Sequence, residues 1–251
     1  MTLASITQGQ GRPLVLLHGW GMNAGVWLPL LPRLEAHWRV TMIELPGHGE
    51  SHLIEGDIHD WAGAVLDTAP SNAIWLGWSL GAMVTLAAAA AAPERFEALV
   101  LAGGTPRFVR EPGWECGMQP ELLNNFAHEL FDSPQRTMMR FLGLQVRGAD
   151  NERETLKTLR SAVERRPVPA SQALRTGLDI LLHADLRVQL AEMEMPMLWL
   201  YGERDTLVSA ATAAEIDRMS TVAETSVIAG AGHAPFLSHP QQCLNAMGGY
   251  A

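Results

Sequence analysis

Short continuous apolar runs alternate along the first hundred positions with longer stretches in which apolar side chains recur at helical spacing. Residues 14–17 and 73–78 are such runs, 39–43 and 96–102 are strand-like stretches broken by Arg39, Thr41 and Glu97, and apolarity of this length marks strands buried on both faces of a parallel sheet. Residues 28–38, 58–69 and 82–92 read as the intervening helices. The first opens beside two prolines, and the last, rich in alanine, is ended by Pro93. Strand and helix in alternation predict an α/β fold with a right-handed, mostly parallel central sheet and helices on both its faces.

The pattern breaks at about residue 107. Strand-like runs are missing up to residue 184, and 120–130, 134–146, 151–165 and 169–183 read as consecutive helices. An apolar run at 197–201 and a further strand-like stretch at 222–229 then resume the first pattern. The division expected is an α/β core, residues 1–106 and 185–251, interrupted by a helical cap at 107–184. A chain of 251 residues is long enough for one large core carrying such an insertion.

Charge sharpens this division. The cap holds 11 of the 18 basic residues against 10 acidic ones, leaving 7 basic and 17 acidic residues in the core. Arg136 and Arg140, and likewise Arg153 and Lys157, stand one helical turn apart. These are either solvated helix faces paired with Glu152, Glu154 and Glu164, or a docking surface for an acidic partner. The whole chain carries a net charge of −9, which argues against a nucleic-acid partner, because a duplex binder needs a basic face. Apolar content of 47% with 18% charged residues excludes a disordered or fibrous chain. Cys116 and Cys243 have neither metal-ligand spacing nor the redundancy of a disulfide framework. No run approaches the roughly 18 apolar residues of a membrane span, and Met1-Thr2-Leu3-Ala4-Ser5 does not open a signal peptide. A cytoplasmic monomer with no membrane association is expected.

The candidate chemistry sits at strand ends. In Trp75-Leu76-Gly77-Trp78-Ser79-Leu80-Gly81 a strand runs into Gly-x-Ser-x-Gly and directly on into a helix, the context of a nucleophile elbow. A Cβ at Gly77 or Gly81 would crowd the adjoining strand and helix, and the serine itself must take a strained backbone conformation. The helix N-terminus stabilises negative charge developing beside it. The pentapeptide alone also fits an ordinary strand-to-helix turn. Asp205, in Gly202-Glu203-Arg204-Asp205, and His233, in the glycine-rich stretch from Gly230 to Phe236, follow the two late strands. Each is commonplace by itself. Together, Ser79, Asp205 and His233 give a strand-end serine, acid and histidine in that order, with the roles of nucleophile, orienting acid and general base.

His18-Gly19-Trp20-Gly21 ends the first strand and supplies a second oxyanion donor, so the backbone N–H groups of Trp20 and Leu80 are the expected pair. A plain turn with His18 as a packed polar residue is the alternative. The stretch from Glu44 to Ser51, dense in proline and glycine, reads as a structural loop with His48 and the following His52 as solvated residues. This chemistry needs no metal and no organic cofactor.

The segments His18-Gly19-Trp20-Gly21, Trp75 to Gly81, Gln135-Arg136-Thr137 with Arg140-Phe141-Leu142 and Leu144-Gln145, and Gly232-His233-Ala234-Pro235-Phe236 resemble the BioH family. These are serine α/β-hydrolases that act as pimeloyl-[acyl-carrier protein] methyl ester carboxylesterases in biotin synthesis. The resemblance implies that Ser79, Asp205 and His233 are catalytic. It also implies that Trp20, Ser79, Phe141, Leu142, Gly143, Leu144, Gln145 and His233 line the substrate site, and that Arg136, Arg140, Arg153 and Lys157 meet an acyl carrier protein. The chain departs from the family pattern at Lys157, where an arginine is usual, at Glu44, where aspartate precedes the Pro-Gly pair, and at Ala82, where a third glycine is common. A general short-chain carboxylesterase, a carbon–carbon bond hydrolase and a non-catalytic receptor on the same scaffold are the alternatives.

Overall fold

The computed structural model describes residues 2–250. Among them one sheet is built from β1 (Ser5–Gln8), β2 (Arg12–Leu17), β3 (Trp38–Ile43), β4 (Ala73–Trp78), β5 (Phe96–Ala102), β6 (Met197–Gly202) and β7 (Ala223–Ile228), in the order β1-β3-β2-β4-β5-β6-β7. All neighbours are parallel except β1, which pairs antiparallel with β3 at one edge. The first helices are α1 (Leu31–Leu34), α2 (Ile58–Thr68) and α3 (Leu80–Ala91). Between β5 and β6 come α4 (Pro120–Asp132), α5 (Pro134–Val146), α6 (Glu152–Glu164), α7 (Ser171–His183) and the short α8 (Arg187–Ala191). The chain closes with α9 (Thr212–Met219), α10 (Pro235–Ser238) and α11 (Pro240–Met247).

The apolar runs hide a period of two. Trp75 of β4, with Val15, Leu17, Leu99, Leu101 and Trp199, belongs to a core on one side of the sheet, shared with α2 and α3. Ile74, Leu76 and Trp78, with Leu14, Leu16, Val100 and Leu200, belong to the core on the other side, shared with α1 and α11. Helices cover both faces, so alternate residues are equally apolar and the alternation disappears from the sequence.

Two expectations at the amino end change. The helix expected over 28–38 is a 3₁₀ turn at Ala24–Trp27 followed by the four-residue α1, and Trp38 already belongs to β3. Pro29 and Pro32 explain it, since neither can donate to a helical ladder and each clashes with the turn before it. Strand β1 is invisible to the pattern because its residues are mostly solvent-exposed and only Ile6 is apolar.

The loop from Glu44 to Ser51 is also not the solvated turn that its composition suggests. His48 is wholly buried and His52 half-buried. The chain entering α7 lies across this loop, where Ala170 N–H donates to the Gly47 carbonyl at 2.9 Å. Pro46, with Gly47 and Gly49 both at positive φ, reads as surface punctuation, yet here these residues fold the loop under a helix.

Candidate active site

Ser79 stands between β4 and α3 at φ 56°, ψ −118°, a region that a side chain occupies only under strain. Its neighbours hold it there. The Ser79 N–H donates to the Ala102 carbonyl at 2.9 Å, and a Cβ on Gly77 would lie 2.6 Å from Ala82 Cα, one on Gly81 2.5 Å from the His18 carbonyl oxygen. The hydroxyl does not cap its own helix. Instead it meets His233 Nε2 at 2.8 Å, and His233 Nδ1 meets Asp205 Oδ2 at 2.7 Å. Both side chains of the His233–Asp205 pair are fully buried. The remaining oxygen of Asp205 accepts the N–H groups of Leu207 and Val208 at 2.8 and 3.0 Å, so the carboxylate cannot turn away from the ring.

The main chain of His233 is pinned from two sides. Its N–H donates to the Gln145 carbonyl of α5 at 2.9 Å, and its carbonyl accepts the Trp78 indole N–H at 2.8 Å. Gly103, at φ +51°, lets the chain after β5 pass close by, since a Cβ there would lie 3.0 Å from His233 Nδ1. The sequence pattern assigns no role to the Trp78 indole or to Gly103. The signals available are a tryptophan directly before the elbow serine and a Gly-Gly pair directly after a buried strand.

The loop after β2 passes against the serine. A Cβ on Gly19 would sit 3.2 Å from Ser79 Cβ, a distance only glycine makes comfortable. Leu80 is the first residue of α3, where a helix leaves N–H groups without intrahelical partners. Among the described residues the N–H groups of Trp20 and Leu80 donate to no protein acceptor. The Trp20 indole donates to the Leu174 carbonyl of α7 at 2.8 Å, and its ring meets Phe141 edge-on at a centroid distance of 4.8 Å.

The run from Phe141 to Gln145 is split by the helical period. Phe141 joins the Trp20 side with Phe126 behind it, whereas Leu142 joins the opposite core that contains Trp27 and Trp78. Gly143 and Leu144 are half-buried, and Gln145 reaches the site through its main-chain carbonyl, its buried side-chain oxygen having no partner among the described residues. Farther out, Arg136, Arg153 and Lys157 are exposed and make no ion pair among the described residues. Arg140 is paired with Glu129 and lies over the Phe126 ring. Of the two alternatives for these cations, that of solvated faces paired with Glu152, Glu154 and Glu164 shows no such ion pair among the described residues.

His18 and His48 are buried with ring centroids 5.2 Å apart. Burial pushes the His18 imidazole down to about 3 and that of His48 down to about 4, the neighbouring ring adding to the effect on His18. Both are neutral at physiological pH. Among the described residues no group of three or more His, Cys, Asp or Glu side chains is arranged to hold a metal ion.

A serine hydroxyl bonded to an imidazole, an acid fixing that imidazole and two unoccupied N–H donors suit acyl transfer through a tetrahedral oxyanion. Comparison with known proteins agrees. Residues 14–246 match the Alpha/beta hydrolase family. The pimeloyl-[acyl-carrier protein] methyl ester esterase of Photobacterium profundum is 45% identical over 242 residues, 96% of this chain and 95% of its own length. The enzyme of the same description from Methylococcus capsulatus is 45% identical over 237 residues, 94% of this chain and 93% of its own. Among solved structures, an esterase from Exiguobacterium antarcticum shares the fold with a TM-score of 0.85 at 20% identity, over 99% of this chain and 94% of that one. The chain therefore belongs to the alpha/beta hydrolase family and, within it, to the pimeloyl-[acyl-carrier protein] methyl ester esterases.

Proposed function

We propose that this chain hydrolyses the methyl ester of a pimeloyl chain carried by an acyl carrier protein, releasing methanol and the free carboxylate for biotin synthesis. The observation that carries the reading is the continuous hydrogen-bonded line Ser79–His233–Asp205, at 2.8 and 2.7 Å, in a chain so similar to esterases of that description. Ser79 Oγ attacks the ester carbonyl while His233 Nε2 takes its proton. The Trp20 and Leu80 N–H groups receive the oxyanion, each worth about 3 to 4 kcal/mol in comparable sites. The proton then passes from His233 to the departing methoxide, and methanol leaves. Water, deprotonated in turn by His233, opens the acyl-enzyme and returns Ser79 to its starting state. Asp205 holds the imidazole in the required tautomer and stabilises its cation without taking the proton itself.

In this reading residues 107–184 form the cap over the core of residues 1–106 and 185–251, and the acyl chain threads between them past Trp20 and the inner face of α5. The carrier docks on Arg136, Arg140, Arg153 and Lys157, with Glu129 yielding Arg140 to a carrier carboxylate. Docking at a fixed distance from Ser79 makes chain length decide which carbonyl reacts, so the distal methyl ester is cut and the carrier thioester is spared. A cytoplasmic monomer meeting its carrier in solution completes the picture. Among the described residues no helix is long and apolar enough to cross a membrane. The test is mass spectrometry of intact pimeloyl-carrier methyl ester before and after incubation. Loss of the mass of a single methylene group, with the thioester retained, is the expected result. Release of the whole acyl chain, or no change, refutes the assignment.

A further inference from the structure

Trp20 offers its N–H from the peptide group that it shares with Gly19, and the next peptide group joins it to Gly21. Each of these two groups is held by a buried imidazole. His18 Nε2 lies 3.0 Å from the Leu45 N–H, which can only donate, so that nitrogen is the acceptor and Nδ1 carries the proton. The Nδ1–H then donates to the Gly19 carbonyl at 2.8 Å. His48 repeats the arrangement. Its Nε2 accepts the Gly21 N–H at 3.3 Å, and its Nδ1–H donates to the Pro46 carbonyl at 2.9 Å.

Because a peptide group is planar and trans, the direction of the Gly19 carbonyl sets the direction of the Trp20 N–H, which points the opposite way. A hydrogen bond to the carbonyl also polarises the group and strengthens its N–H as a donor. We infer that His18 and His48 are positioning residues for the oxyanion site, two neutral imidazoles that clamp the peptide groups on either side of Trp20 and so aim its N–H at the carbonyl attacked by Ser79. The inference rests on the reading of Ser79 as nucleophile and Trp20 as oxyanion donor.

The surroundings suit a clamp and not a proton carrier. Both rings have no solvent exposure, both nitrogens of each are occupied by main-chain groups, and the Trp61 ring closes over His48 edge-on at 6.0 Å. Protonating either ring would put an N–H against an N–H, at Leu45 for His18 and at Gly21 for His48. The low values of about 3 and about 4 keep that state away from physiological pH. The two histidines also tie together loops from different strands, since Leu45 follows β3 and Gly21 follows β2. Gly21 itself sits at φ +69°, a conformation that needs holding because glycine has many others available.

The test uses a crossed pair of amides, because asparagine matches the Nδ1 position of histidine and glutamine the Nε2 position. At residue 18 the clamp depends on the Nδ1–H to Gly19, so His18→Asn retains kcat on a p-nitrophenyl ester while His18→Gln loses it. At residue 48 the clamp depends on Nε2 accepting from Gly21, so His48→Gln retains kcat while His48→Asn loses it. The expected loss is about 10- to 100-fold, below the roughly 100- to 1,000-fold seen when an oxyanion donor is deleted outright. KM stays within about twofold, and affinity for a boronic acid that forms a tetrahedral adduct on Ser79 falls in step with kcat.

All four variants are neutral, polar and close in size, so a purely structural role predicts that kcat follows thermal stability and not the crossed pattern. Equal kcat for Asn and Gln at both positions, or losses that appear in KM with boronic acid affinity unchanged, overturns the clamp. No turnover by the wild-type enzyme, or undiminished turnover by Ser79→Ala, refutes the underlying reading instead.

Discussion

The buried histidine pair makes the stability of this protein depend on pH below the ordinary imidazole value of 6.5. In the folded chain His18 and His48 bind their protons only near pH 3 and pH 4, whereas in the unfolded chain both return to the ordinary value of 6.5. A depressed folded value means that the unfolded state binds more protons between the two limits, so stability is fully present above pH 6.5 and falls as the pH is lowered. Each histidine contributes a slope of about 1.4 kcal/mol per pH unit inside its window. Between about pH 6.5 and 4.5 the pair together costs on the order of 5 kcal/mol, comparable to the whole stability of an ordinary domain. The slope vanishes below the folded values. The titratable group acting on His18 is His48 itself, and neither shift draws on a carboxylate. Asp185, which the Arg187 guanidinium holds below the usual carboxylate range, titrates beneath this window. Urea unfolding followed by tryptophan fluorescence at about pH 7.5, 6.5, 5.5 and 4.5 measures the effect, with the His18→Asn, His48→Gln double variant as reference. The variant begins less stable at the highest pH, and the gap narrows by up to about 2.7 kcal/mol per pH unit on acidification. Parallel stability curves for the two proteins would show that the imidazoles are not held neutral by the fold.

Ser79→Ala leaves the fold intact and removes ester turnover by on the order of a millionfold, and His233→Ala does nearly the same. A double variant losing the product of the two single losses, and not roughly the larger one, rules out joint action. Asp205→Asn retains more activity than either, because the acid orients the base and transfers no proton; kcat measured beside the other two variants decides the order. Gly103→Ala places a methyl group 3.0 Å from His233 Nδ1 at a φ of +51°, so kcat falls with substrate affinity little changed, and an unimpaired kcat contradicts the close packing. Changing Arg136, Arg140, Arg153 and Lys157 together to Glu slows the carrier-bound ester and spares free esters, and added salt mimics the change because exposed charges act over a Debye length of about 8 Å. Equal losses on both substrates, measured as kcat/KM, mean that the charge changes damaged the cap itself.

Much of this protein is legible in one dimension because the information is local. A continuous apolar run must be buried on both faces, a Gly-x-Ser-x-Gly between such a run and a helix has few other conformations, and Asp205 and His233 each follow their own strand. The sheet then brings the three together, since parallel strands present their carboxyl ends along one edge. Only the folded chain decides what holds them. That the Gln145 carbonyl and Trp78 indole pin His233, that Gly103 makes room for it, and that Leu142 turns away from the side Phe141 faces, all depend on contacts between elements far apart in sequence. His48 shows the difference most clearly. Flanked by Gly47 and Gly49 and preceded by Pro46, it carries every local mark of a solvated turn, and it becomes a buried, neutral acceptor only because the segment leading into α7 and the loop after β2 close over it. Burial belongs to the neighbours a residue acquires, and a loop's own composition does not name them.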